Sequence, residues 1–170
     1  MGFHRRRPYN GGMSKSAKQA GQNTIALNRR AKFDYHIDER YEAGMVLEGW
    51  EVKSLRAGKA QLVDSFVQIH RGEAFLHGAH FTPLQTTSTH ELVDPKRVRK
   101  LLLNKDELAR IFAATSAKGY TCIATAMYWK GAHVKCEIGL AKGKKQHDKR
   151  EDSKEKDWAR EKERLLKHSA

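Results

Sequence analysis

The sequence predicts a mainly β fold, an OB-like closed antiparallel β-barrel with short flanking helices and a C-terminal tail that is disordered when free. Three observations predict it. Short stretches in the middle of the chain alternate apolar and polar residues with the period of a strand. Two short helical patterns lie among them, without the strand–helix–strand repeat of a parallel sheet. Residues 143–170 are almost wholly charged, so they cannot form a core of their own.

The elements follow in order. Residues 1–23 are rich in Arg, Lys, Gly, Ser and Asn. They bury too little to offset backbone entropy and are expected to be disordered. Phe33, Tyr35 and Ile37 alternate with Asp34, His36 and Asp38, a half-buried strand pattern interrupted at Tyr41-Glu42-Ala43-Gly44. Val52 and Leu55, three apart, predict a helix over residues 49–57 that Gly58 stops. Ala60 to His70 reads as one strand, Arg71-Gly72 as a turn, and Glu73 to Pro83 as the returning strand. A polar loop spans residues 84–97. Asn104 offers an N-cap, with Glu107 at capping-box distance. Leu108, Ile111, Phe112 and Thr115 then mark one helical face, and Gly119 supplies the C-cap. Two strands close the series on either side of Lys130-Gly131. On the second, Val134, Cys136, Ile138 and Leu140 share a face.

The charge is distributed unevenly. The chain of 170 residues carries a formal net charge of +13. Residues 1–32 hold eight Lys/Arg and no Asp or Glu, whereas residues 33–141 hold fourteen basic and thirteen acidic side chains. Residues 142–170 hold eleven basic and seven acidic ones. A near-neutral module with cationic arms suits a polyanionic partner, and nucleic acid is the commonest. The implied organisation is a basic extension (1–23), a nucleic-acid-binding barrel (24–142) and a charged tail (143–170). Cys122 and Cys136 are too few for a disulfide framework and are expected to be free thiols. No apolar run approaches membrane-spanning length, and no secretory leader is visible, so a cytoplasmic location is expected.

Catalytic and metal patterns are weak. Gly143-Lys144-Lys145 lacks the upstream glycine of a phosphate-binding loop. His77 and His80, three apart on one strand, point to opposite faces. Cys122, His133 and Cys136 have the chemistry of zinc ligands, but buried core thiols explain them better. Asp64 and Glu73 read as solvated hairpin ends rather than an acid–base pair. The expectation is a protein that is not an enzyme and holds no cofactor or metal. The basic clusters are the stronger lead: Arg29, Arg30 and Lys32; Lys96, Arg97, Arg99 and Lys100; Lys142, Lys144, Lys145, Lys149 and Arg150. Each Lys or Arg can meet one phosphate and release condensed counterions.

Several motifs in fixed order resemble the small protein B (SsrA-binding protein) family. They are Asn28-Arg29-Arg30-Ala31, Tyr41-Glu42-Ala43-Gly44, the run from Glu51 to Ala60, Arg99-Lys100-Leu101-Leu102-Leu103, and Gly139 to Lys145 leading into Asp148-Lys149-Arg150. The resemblance implies an OB-like barrel and a role in trans-translation. It implies binding to the tRNA-like domain of transfer-messenger RNA, support of its alanylation, and delivery with elongation factor Tu to stalled 70S ribosomes. Alanyl-tRNA synthetase is then an indirect partner, small-subunit rRNA a direct one, and the protein a monomer. Carried over by position, Glu42, Leu102, Asn104 and Lys135 face transfer-messenger RNA. Gly143, Lys144, Lys145, His147, Asp148, Lys149 and Arg150 match the stretch that probes the decoding centre and empty mRNA channel. Trp158 and Leu165 match apolar anchors of a helix formed on the ribosome. The basic extension before Thr24 has no counterpart in the family pattern. Two rivals remain open on the residues alone. One is a single-strand binder without partner specificity, which needs exposed aromatic platforms. The other is a small nuclease, which needs a metal or acid–base pair.

Overall fold

The computed structural model describes residues 23–85, 92–117, 119–144 and 146–168, without the side chains of 146–148. The expected disorder of the N-terminal extension and the tip of the 84–97 loop lie outside the described residues. Among the described residues, nine strands and four helices follow in the order β1 (Thr24–Leu27), α1 (Arg29–Asp34), β2 (Tyr35–Met45), α2 (Gly49–Arg56), β3 (Ala60–Gln61), β4 (Phe66–His70), β5 (Glu73–His77), β6 (His80–Phe81), β7 (Arg99–Leu102), α3 (Lys105–Ala117), β8 (Thr121–Lys130), β9 (His133–Gly143) and α4 (Gln146–His168). The fold is mainly β, with one large antiparallel sheet and mostly short helices. Pairings run β8–β4–β5–β7–β2–β9 and return from β9 to β8, while β1 adds to the far half of β8. β3 and β6 form a small second sheet.

Local chemistry accounts for most boundaries. Asn28 caps α1: its side-chain oxygen accepts from the Ala31 N–H at 3.1 Å. Its side-chain nitrogen donates to the carbonyls of Leu62 and Ala124 at 3.0 and 2.9 Å, so one buried amide ties the helix to β8 and to the end of β3. Phe33 and Asp34 therefore belong to a helix rather than to the strand their alternation suggested. β2 continues straight through Tyr41–Gly44 and absorbs one bulged residue at Asp38. The β4–β5 turn is as expected, with Arg71 and Gly72 both at positive φ (49° and 74°), the backbone of a two-residue hairpin.

Two long expected strands are each broken in two. Asp64 (φ 62°) splits Ala60–His70, and Gly78 (φ 77°) splits Glu73–Pro83. The breaks face each other: a Cβ on Gly78 would lie 2.8 Å from the Asp64 carbonyl oxygen. Only glycine lets the two backbones approach so closely there. The expected helix after Asn104 forms, and the Glu107 carboxylate accepts from the Asn104 N–H at 3.1 Å, one half of a capping box. Its inner face is Ile111 and Ala114, while Phe112, expected in the stripe, is 55% exposed.

The core gathers Leu55, Leu62, Leu76, Phe81, Leu101 and Ile138 between the sheet and helices α2 and α3. Cys136, Ile138 and Leu140 point inward with Val134, as their alternation predicts. The tail, expected to be disordered in the free chain, forms the single helix α4 in this structure. Its first turns rest on α1: Lys149 pairs with Asp34 at 3.2 Å, and the ammonium groups of Lys149 and Lys156 lie 5.9 and 5.8 Å from the Phe33 ring centroid. Strong helix formers and an exposed Glu163–Lys167 pair one turn apart support the rest.

Candidate nucleic-acid interface

Strand register assembles the resemblance-derived residues. Gly44 of β2 lies opposite Leu102 of β7 on one side and Lys135 of β9 on the other, and Lys135 lies opposite Tyr128 of β8. Leu102, Gly44, Lys135 and Tyr128 thus form one row across four strands. Glu42, two residues before Gly44, and Lys130, two after Tyr128, fall on the same outer face. Leu102 is 53% exposed, an apolar side chain held outward beside charged neighbours. Gly44 makes its seat: a Cβ there would sit 3.3 Å from that of Leu102. Asn104 follows two residues later, exposed at the start of α3. The Glu107 carboxylate takes its backbone N–H, and the Asn104 side-chain amide has no hydrogen-bond partner among the described residues.

Glu42 is the electrostatic centre of this face. The Tyr128 hydroxyl donates to one carboxylate oxygen, and the Lys130 ammonium lies 2.9 Å from the other. The Tyr128 hydrogen bond, then that from Lys130, hold the Glu42 carboxyl below its ordinary range. Burial and the bond to Glu42 push the Tyr128 phenol up, so it stays a protonated donor. Tyr128, Lys130 and Gly44 were missed in the sequence. The clue was that Tyr128 and Lys130 alternate with the buried Met127 on the far side of the strand.

The tail residues gather at the opposite end of β9. Gly143 terminates the strand about 26 Å from Lys135 at ordinary strand rise. Lys144 donates to the Lys32 carbonyl at 3.1 Å and pairs with Asp152. Lys149 pairs with Asp34, and Arg150 is exposed. Lys145 lies outside the described residues, as do the side chains of His147 and Asp148, whose backbone is in α4. Trp158 and Leu165 are 71% and 64% exposed along α4, so the helix meets the core at its base only.

The cluster before α3 reads differently in three dimensions. Arg99 is fully buried: its guanidinium bonds Glu51 at 2.7 Å and the carbonyls of Ala79, Pro95 and Arg97 at 2.9–3.0 Å. It also stacks 3.7 Å over the Phe81 ring. Arg97 takes the second oxygen of Glu51 at 2.6 Å, and Lys100 pairs with Glu73 at 2.8 Å. Arg99 is therefore a core residue and not a phosphate contact. Lys96 alone of the four has no carboxylate partner among the described residues.

The weak chemical candidates disperse. Asp64 lies 3.9 Å from Arg30, whereas Glu73 pairs with Lys100, so the two carboxylates do not converge. His77 stacks on Phe66 with ring centroids 5.1 Å apart, on a different strand from His80. Cys122 and Cys136 are free and buried, and burial pushes both thiols up to about 12. Among the described residues, no group of three or more His, Cys, Asp or Glu is placed to hold a metal. Nor is any helix among them long and apolar enough to cross a membrane.

Known proteins resemble the chain over most of its length. The family model described as SmpB protein matches residues 25–168. The SsrA-binding protein of Marinomonas sp. is 59% identical over 159 residues, covering 93% of this chain and all of its own. That of Chromohalobacter salexigens is 56% identical, covering 91% of this chain and 99% of its own. A solved structure, "tmRNA-SmpB: a journey to the center of the bacterial ribosome", superposes with a TM-score of 0.60 at 45% identity, covering 71% of this chain and 84% of the other. With the family model and full-length relatives in agreement, the chain belongs to the SmpB family of SsrA-binding proteins.

Proposed function

We propose that this protein is an RNA-binding adaptor of trans-translation, without catalytic activity of its own. Family membership and the likeness to a tmRNA-SmpB structure support transfer-messenger RNA as the ligand and the ribosome as the place of action. The return of the strand pairings to β8 supports reading residues 24–142 as an OB-like barrel. On this reading the outer face of Glu42, Leu102, Asn104 and Lys135 holds the tRNA-like domain. Glu42 accepts from base amino or ribose hydroxyl groups, Leu102 packs on an exposed base, Asn104 donates and accepts at a base edge, and Lys135 meets phosphate. Binding there supports alanylation and delivery with elongation factor Tu to stalled 70S ribosomes. Residues 143–170 enter the decoding centre and empty mRNA channel of the small subunit, gaining full order in that setting. The protein then acts as a cytoplasmic monomer, with alanyl-tRNA synthetase as an indirect partner.

The single observation that carries this reading is the separation along β9. Lys135 stands on the proposed RNA face at one end, and the tail departs from Gly143 at the other. One rigid strand thereby holds two contact regions apart. The test is the affinity of Glu42→Ala and Asn104→Ala variants for a fluorescently labelled tRNA-like domain of transfer-messenger RNA. Each is expected to bind about tenfold more weakly, the worth of one hydrogen bond involving a charged or fully desolvated partner. Parental affinity in both variants removes this face as the binding site.

A further inference from the structure

An acidic side chain on an RNA-binding face needs explaining, because a bare carboxylate repels phosphate. The surroundings of Glu42 supply the explanation. A carboxylate has about four acceptor positions, two on each oxygen. Tyr128 takes one on the first oxygen and Lys130 one on the second. By that count one acceptor position is left on each oxygen. The Lys130 ammonium offsets the charge, and Lys135 adds a second cation beside it. Glu42 is exposed on a strand, where its flexible side chain would otherwise sample several rotamers and lose that freedom on binding. Held at both oxygens, it has already lost it.

We infer that Tyr128 and Lys130 are positioning residues that fix Glu42 as a two-acceptor fork for adjacent N–H or O–H donors of the bound RNA. The inference rests on the RNA-binding reading of this face and assigns two residues that the family resemblance did not single out. Tyr128 and Lys130 act through Glu42 and not by touching RNA themselves. Their contributions are therefore expected to vanish when Glu42 can no longer serve as the fork.

A double-mutant cycle reads this directly. The affinities of the full-length parent, Tyr128→Phe, Glu42→Gln and the double variant are measured for the labelled tRNA-like domain at one salt concentration. Tyr128→Phe is expected to weaken binding about tenfold with its thermal unfolding midpoint unchanged. In the Glu42→Gln background the same change is expected to cost no more than about twofold. Lys130→Arg is expected to keep parental affinity, whereas Lys130→Met loses it in the parent and not beside Glu42→Gln. Additive losses overturn the inference, since Tyr128 then acts independently of Glu42. Parental affinity in Tyr128→Phe or in Glu42→Gln also overturns it. A parent protein that does not bind the tRNA-like domain at all is a different result, and it is the proposed function that then falls.

Discussion

Truncation after Arg150 is expected to leave affinity for the tRNA-like domain unchanged and to abolish peptide tagging on stalled ribosomes. The structure explains the first half. Residues 151–168 are the exposed length of α4, with Trp158 and Leu165 turned largely to solvent. Their removal takes little from the core and nothing from the row of Leu102, Gly44, Lys135 and Tyr128. Lys149 keeps its pairing with Asp34, though Lys144 loses Asp152. Asp152 is about a third exposed, and Lys144 keeps its bond to the Lys32 carbonyl, so the lost pair costs the fold little. The second half follows from the proposed entry of the tail into the mRNA channel. A thin apolar stripe on a charged helix becomes stable only against a partner surface. Binding by titration and tagging in a stalled translation reaction measure the two halves separately. Loss of RNA affinity on truncation contradicts the division of roles.

Glu51→Ala is expected to destabilise the fold by about 3–5 kcal/mol, the usual result of leaving one partner of a buried ion pair uncompensated. Glu51 and Arg99 are both fully buried, and burial disfavours the guanidinium charge that the Glu51 carboxylate restores. The pair joins α2 to β7, and the carbonyls of Ala79 and Pro95 extend the network to the loops on either side of β6. A domain of this kind is stable by only about 5–15 kcal/mol, so the urea midpoint is expected to fall sharply. Glu51→Ala combined with Arg99→Met is expected to be more stable than Glu51→Ala alone, because no buried charge is then stranded. A single variant within about 1 kcal/mol of the parent contradicts this account of the buried network.

What the sequence made legible was what short-range chemistry decides. The Arg71-Gly72 hairpin turn, the start of α3 at Asn104 with Glu107, and the inward row of Val134 to Leu140 need only neighbouring residues to specify them. What it hid depends on distant backbone. Bulges at Asp38 and Thr125 shift the strand parity within β2 and β8, so a simple alternation mis-assigns faces beyond them. Asn28 was legible as part of a motif, but its bonds to Leu62 and Ala124 span 34 and 96 residues. Tyr128 and Lys130 reach Glu42 across 86 and 88 residues, and only cross-strand register brings them together. Arg99 was read with its basic neighbours as a phosphate contact. Its spacing of two from the buried Leu101 was the sign that it faces inward. The four positions expected to face RNA came from family resemblance, and the fold sets three of them on one sheet face with Asn104 at its rim.

On the proposed function, folded RNA is gripped by cationic groups around a near-neutral core, with Lys135 among them. The dependence of tRNA-like domain affinity on salt measures that most directly. Each phosphate neutralised releases condensed counterions, so several contacts give a steep linear fall of log affinity with log salt. A loss of about tenfold or more is expected between about 50 and about 200 mM salt, with a shallower slope for Lys135→Ala. An affinity that stays level over that range, or a slope that Lys135→Ala does not change, contradicts it.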